Sequence, residues 1–168
     1  MSALIGTVWG QVGDRVIPDM YYHDLSRYEY TDSCVEKPAF ELNVGWLDNA
    51  HPFPTGELSE EFLDALFECC HHPVNEERGY HICDICKYVP ENPLGTTRMR
   101  ANRNGRILAM GRGEIRVEGI NNIVYAAPTL IYHYCIVHSY KPPLEFVTAV
   151  LSGVHSKPTE QYTVLAEK

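Results

Sequence analysis

The stretch that decides the fold is Tyr80-His81-Ile82-Cys83-Asp84-Ile85-Cys86, taken together with His133-Tyr134-Cys135-Ile136-Val137-His138 further along the chain. Cys83 and Cys86 form a Cys-x-x-Cys pair, a spacing that lets two sulfurs reach one ion from a tight turn. His133 and His138 enclose four residues, inside the range of histidine spacings that structural zinc sites use. Two thiolates and two imidazoles complete a tetrahedral shell, so the expectation is one structural zinc ion held by Cys83, Cys86, His133 and His138. Forty-six residues separate Cys86 from His133. A small DNA-reading finger allows about 12 to 15, and that module is excluded. A Cys-x-x-Cys can also be a redox pair or two unrelated buried thiols; the downstream histidines favour the metal.

Length and composition set the frame around this staple. A chain of 168 residues, 45% hydrophobic and 21% charged, can bury one core of its own, so zinc assists the fold rather than constituting it. There is no apolar run long enough to span a bilayer, and the opening MSALIGTVWGQVGDR has neither a basic start nor a continuous apolar stretch. A soluble, cytoplasmic protein is expected. Six cysteines would permit a disulfide framework, but Cys69 and Cys70 are adjacent and Cys83 and Cys86 have metal spacing, which suits a reducing compartment better.

Charge is unevenly spread. Residues 1–77 carry fifteen Asp and Glu against three Lys and Arg, while residues 78–168 carry seven against eleven. Arg98, Arg100, Arg103, Arg106, Arg112 and Arg116 crowd the basic part. A nucleic-acid footprint would need them on one face with stacking aromatics among them, and TTRMRANRNGRILAMGRG contains none. A solvated loop and the outer face of a hairpin is the plainer reading.

Along the chain the pattern is α+β: one domain over 20–155, preceded by an extension or opening strand over 1–19 and followed by a tail over 156–168. The sheet is expected to be mostly antiparallel with flanking helices. A strand is predicted around Phe40 to Trp46. Ser59 then caps a helix over 59–71, with Glu60 and Glu61 at its positive end and Phe62, Leu63, Leu66, Phe67 and Cys70 as the apolar stripe. Cys69 and Cys70 are assigned to packing. Strands follow at ILAMG and EIRVEG, with Asn104-Gly105 and Asn121-Asn122 as turns and Gly111-Arg112-Gly113 as a hairpin turn rather than a phosphate loop. Pro128 is placed in the first turn of a helix over 128–138 that carries both histidines. Pro142-Pro143 stops it, and LEFVTAVL forms a last short helix.

Helix geometry tests the metal assignment. Five steps along a regular helix turn two side chains about 140° apart, so His133 and His138 meet one ion only if the last turn tightens or the helix ends near His138. The order of knuckle, hairpin and helix is similar to a treble clef, which speaks to architecture and not to activity. Two cysteines and two histidines would leave no position for a catalytic water. The HExxH helix, the deaminase signature, the GxSxG elbow and the Walker loop are all absent. His23 beside Asp24 and His51 near Asp48 read as ordinary exposed polar residues, and Cys34 or Cys135 as a nucleophile would lack a free base.

The blocks YYHDLSRYEY, LNVGWLDNAHPFPTGE, PVNEERGYHICDIC, GRGEIRVEG and YAAPTLIYHYCIVHSYKPPLEF resemble a family of small, largely uncharacterised bacterial zinc-binding domains, over roughly residues 20–151. The resemblance implies Cys83, Cys86, His133 and His138 as metal ligands in a stand-alone cytosolic protein, and it implies no established activity. The first nineteen residues and the arginine-rich segment around 98–106 depart from it.

Two functional expectations follow. The first is a non-enzymatic protein-binding module, of the immunity or antitoxin type, whose acidic N-terminal half masks a basic toxin. Tyr21, Tyr22, Asp24, Tyr28, Glu29, Tyr30 and Asp32 would form its face, tyrosines supplying contact area and carboxylates speeding encounter. The second is a nucleic-acid-associated zinc protein, binder or nuclease, working through the arginines of residues 98–116.

Overall fold

The computed structural model describes residues 10–12, 15–17, 21–29, 40–76, 79–86 and 99–153. A two-stranded antiparallel hairpin, β1 (Gly10–Val12) and β2 (Arg15–Ile17), comes first among the described residues. The central sheet has the order β3 (Phe40–Asn43), β7 (Ile123–Pro128), β6 (Glu114–Glu118). A separate hairpin pairs β4 (Met99–Arg103) with β5 (Arg106–Met110) across Asn104-Gly105. Helix α1 (Glu60–Cys70) packs on β5 and β6 and against both α2 (Ile131–Val137) and α3 (Leu144–Ser152), and α3 also packs on β6. The molecule is a single α+β domain, and among the described residues its strand pairs are antiparallel except for β3 with β7. Parallel neighbours cannot be joined by a tight turn, and here the connection from β3 to β7 contains α1, the cysteine turn and strands β4 to β6.

β3 stops sooner than its apolar pattern suggests. Gly45 adopts φ +71°, and a Cβ there would lie 2.8 Å from Ile131 Cδ1. The chain turns at this glycine, so Trp46 leaves the strand, bridges to Tyr22 and donates its indole N–H to the Ala126 carbonyl at 3.0 Å. Pro128 also differs from expectation. It ends β7 opposite Glu114 instead of opening a helix, in a position beyond the reach of β3, whose last partner is Ala126. A proline is tolerated there because only one neighbouring strand remains to be paired. The helix with the histidines therefore begins at Ile131.

Helix α1 follows the sequence closely. The Ser59 hydroxyl accepts from the Phe62 amide at 3.2 Å, and Phe62, Leu66, Phe67, Cys69 and Cys70 are buried. Leu66 and Phe62 are fully enclosed, each contributing about 1.5 to 3 kcal/mol of hydrophobic stabilisation. The outer face of α1 is acidic and takes up two of the hairpin's three arginines: Arg103 bonds Glu60 and Asp64, and Arg106 bonds Glu68. Tyr132, Tyr140, Phe146, Val44, Ile115 and Val117 fill the centre of the core between sheet and helices.

Candidate metal centre

The two cysteines and the two histidines are brought together by one loop. Gly111, Arg112 and Gly113 were expected to be a hairpin turn, but β5 and β6 belong to different sheets and this segment passes between them. Gly111 has φ +90°, and a Cβ there would fall 2.1 Å from the His81 carbonyl oxygen. Only glycine lets the backbones approach so closely. The His81 amide donates to the Gly111 carbonyl at 2.6 Å, which fixes the entry to the cysteine turn. The Gly111 amide donates to Thr129 Oγ1 at 2.9 Å, and the Thr129 amide donates to the Gly113 carbonyl at 2.9 Å. Thr129 lies just ahead of α2. One loop thus clasps the approaches to both ligand pairs, a role that the sequence signals only through two closely spaced glycines.

The far end of α2 solves the angular problem. Regular helix stops at Val137; His138 caps it with φ −106° and ψ 5°, its amide still donating to the Tyr134 carbonyl, and Ser139 enters the left-handed region at φ +53°. The His138 ring is thereby released from the helical direction, and its centroid lies 5.1 Å from that of His133. Cys83 Sγ is 3.2 Å from His138 Nε2, and Cys86 Sγ is 3.1 Å from His133 Nε2 and 3.2 Å from His138 Nε2. All four ligand atoms lie within 4.8 Å of one another. A tetrahedron built on zinc–sulfur and zinc–nitrogen bonds of about 2.3 and 2.0 to 2.1 Å has edges of about 3.3 to 3.8 Å, so the observed group is close to that size. The four residues lie close enough to hold a metal ion.

Electrostatics agree with that use. Burial, with His138 close by, pushes His133 down to about 4, which keeps its imidazole in the neutral, ligating form. Burial lowers His138 too, against a smaller opposing effect of the Asp84 carboxylate. Burial raises the Cys83 thiol to about 12. An uncompensated thiolate is costly in this pocket, whereas a dication reverses the sign of that cost and, with two thiolates, leaves a centre of zero net charge. Asp84, between the two cysteines, accepts from the Asn49 amide at 3.2 Å and so ties the cysteine turn to the 48–51 loop.

The remaining candidate residues separate into three groups. Tyr21, Tyr22 and Asp24 are partly exposed and Glu29 is exposed, whereas Tyr30 and Asp32 lie outside the described residues. Tyr28 is corrected: it is 5% exposed, its hydroxyl donates to both carboxylate oxygens of Glu114 at 2.9 and 2.8 Å, and its ring lies 4.1 Å under the Arg116 guanidinium. It belongs to the core and offers no surface. Of the arginines, Arg98 falls outside the described residues. Arg103 and Arg106 are paired with α1, and Arg116 bonds Glu114 at 2.8 Å. Among the described residues no helix is long and apolar enough to cross a membrane.

Fold and site together define a single α+β domain with a candidate Cys2His2 metal centre joining a turn to the end of a helix. The chain belongs to the family described as a domain of unknown function, DUF7919, whose model matches residues 20–151. No curated protein and no solved structure matches it.

Proposed function

We propose that this is a zinc-stapled, non-enzymatic protein-binding module of bacterial, cytoplasmic origin, acting as an immunity or antitoxin-type partner of a basic protein. Zinc bound by Cys83, Cys86, His133 and His138 would supply structure: it neutralises two thiolates in the interior and holds the cysteine turn against α2. Cys83 and Cys86 bring the charge, His133 and His138 bring neutral nitrogen, and the Gly111 loop orients both pairs. One observation carries the binding half of the reading. Two arginines of the hairpin, Arg103 and Arg106, are paired with carboxylates of α1, while Tyr21, Tyr22 and Asp24 are partly exposed and Glu29 is exposed in the N-terminal half. This leaves an acidic, aromatic edge of the kind that steers and anchors a basic partner.

The test is a pull-down with the product of a neighbouring gene, repeated after charge reversal at the exposed Glu29 and, in a chain that keeps its melting temperature, after Asp24→Asn. Affinity falls at least about tenfold if these two carboxylates steer and hold the complex; unchanged affinity rejects this face. Pairing of Arg103, Arg106 and Arg116 with carboxylates weighs against a nucleic-acid role, although Arg100, Arg106 and Arg112 are exposed. Duplex DNA binding that weakens steeply with added salt would reverse that judgement.

A further inference from the structure

Away from the four ligands, a cavity of about 210 Å3 opens between the 21–24 segment and a wall made by Leu47, Pro52, Phe53 and Pro54. Its sides are aromatic. The Tyr22 ring meets Trp46 edge-on at 5.7 Å, and Phe53 meets Tyr140 edge-on at 6.1 Å. Asp24 supplies its charge. The buried Tyr140 hydroxyl donates to both carboxylate oxygens of Asp24 at 2.8 Å, and the Gly45 amide donates to Oδ1 at 2.9 Å. A carboxylate has about four acceptor sites. One hydroxyl proton and one amide proton fill two of them, so Asp24 lines the cavity with acceptor capacity to spare.

A second carboxylate connects to Tyr21 through His51. Asp48 is 4% exposed and bonds His51 Nδ1 at 2.9 Å. The His51 ring lies flat on Tyr21, with centroids 3.8 Å apart and 8° between planes, and the Tyr21 hydroxyl meets His23 Nδ1 at 3.0 Å. Desolvation, then Asp24 and Asp48, push the Tyr21 hydroxyl up, so the negative field of both carboxylates reaches this ring. Lys141 lies with its methylenes against Gly56, two residues beyond Pro54. An anion would meet the Asp24 carboxylate, and a purely apolar occupant would leave its spare acceptor sites dry. A guanidinium answers both demands, since its plane stacks on aromatic rings while its fork of donors meets a carboxylate.

We propose that this cleft receives an arginine side chain, donating to Asp24 between Tyr21, Tyr22 and Phe53; that the arginine is the basic partner's rests on the reading given above. The probe is N-acetyl-arginine methylamide added to the isotopically labelled full chain, with the neutral, near-isosteric citrulline derivative as control. The arginine probe is expected to shift the amide signals of Tyr22, His23, Asp24 and Phe53 saturably, more weakly as salt rises from about 50 to 300 mM. Citrulline should bind at least about tenfold more weakly. A Tyr21→Leu chain that retains its melting temperature and metal content should lose most of the arginine response. No shifts with arginine, or equal shifts with citrulline, would overturn the proposal. Glu29→Lys, outside the cleft, separates the two readings. Partner capture that Glu29→Lys abolishes but free arginine derivative does not compete with sinks the cleft and spares the acidic face. Arginine binding without any partner capture sinks the partner reading and leaves the cleft as a cation site.

Discussion

Gly111 is the residue on which the candidate metal centre most visibly depends. With φ +90° and the His81 carbonyl where a Cβ would go, Gly111→Ala combines left-handed strain with a backbone collision and should cost at least about 2 kcal/mol. Metal affinity should fall with it, because the displaced His81 leads into the cysteine turn. Thermal unfolding and a competitive zinc titration of the same variant would check both, and an unshifted melting temperature would refute the clasp. The grouping of the four candidate ligands was readable from spacing alone; the clasp was not. A Gly-x-Gly motif reports that the backbone needs freedom, without telling which other segment comes close. Tyr28 misled for a related reason. A tyrosine among acidic and aromatic neighbours looks like surface, and the buried Glu114 that satisfies its hydroxyl is 86 residues away.

At the level of elements, α1 was legible because its signals are local: a capping serine, acids in the first turn and an apolar stripe. Ser59→Ala removes the acceptor for the Phe62 amide and should lower stability by about 1 kcal/mol, measurable by denaturant midpoint with metal content unchanged; no shift would mean that water replaces the cap without cost. Helix α2 was legible in existence and not in its start. The apolar run from Ile123 continues through Pro128 into Ile131, and nothing local separates a buried strand from a buried helix in such a run. Pairing of Pro128 with Glu114 decides it. The end of α2 was legible as a requirement, since two histidines five apart can meet only where the helix stops, and the chain meets it with Ser139 at φ +53°.

For the whole molecule, acid should loosen the fold in a defined window. His133 is held down to about 4 by burial, below the ordinary value of about 6.5 expected in the unfolded chain. Protons therefore bind the unfolded state preferentially between those values, and stability is lost as pH falls from about 6.5 towards 4. Metal release acts in the same direction, because protons compete for both thiolates and both imidazoles. Unfolding free energy measured across that range should drop with acid, and a flat profile would show that His133 is not buried neutral. The parallel pairing of β3 with β7 could not be read from the sequence, because it depends on where the chain returns after some eighty residues, from Asn43 to Ile123. The candidate metal centre bridges a comparable distance, bringing together residues 47 to 55 positions apart. X-ray absorption at the zinc edge of the native protein tests it most directly. The account predicts one zinc per chain, with two sulfurs at about 2.3 Å and two nitrogens at about 2.0 to 2.1 Å; protein purified without chelator that contains no zinc, or a shell with fewer than two sulfurs, would contradict it.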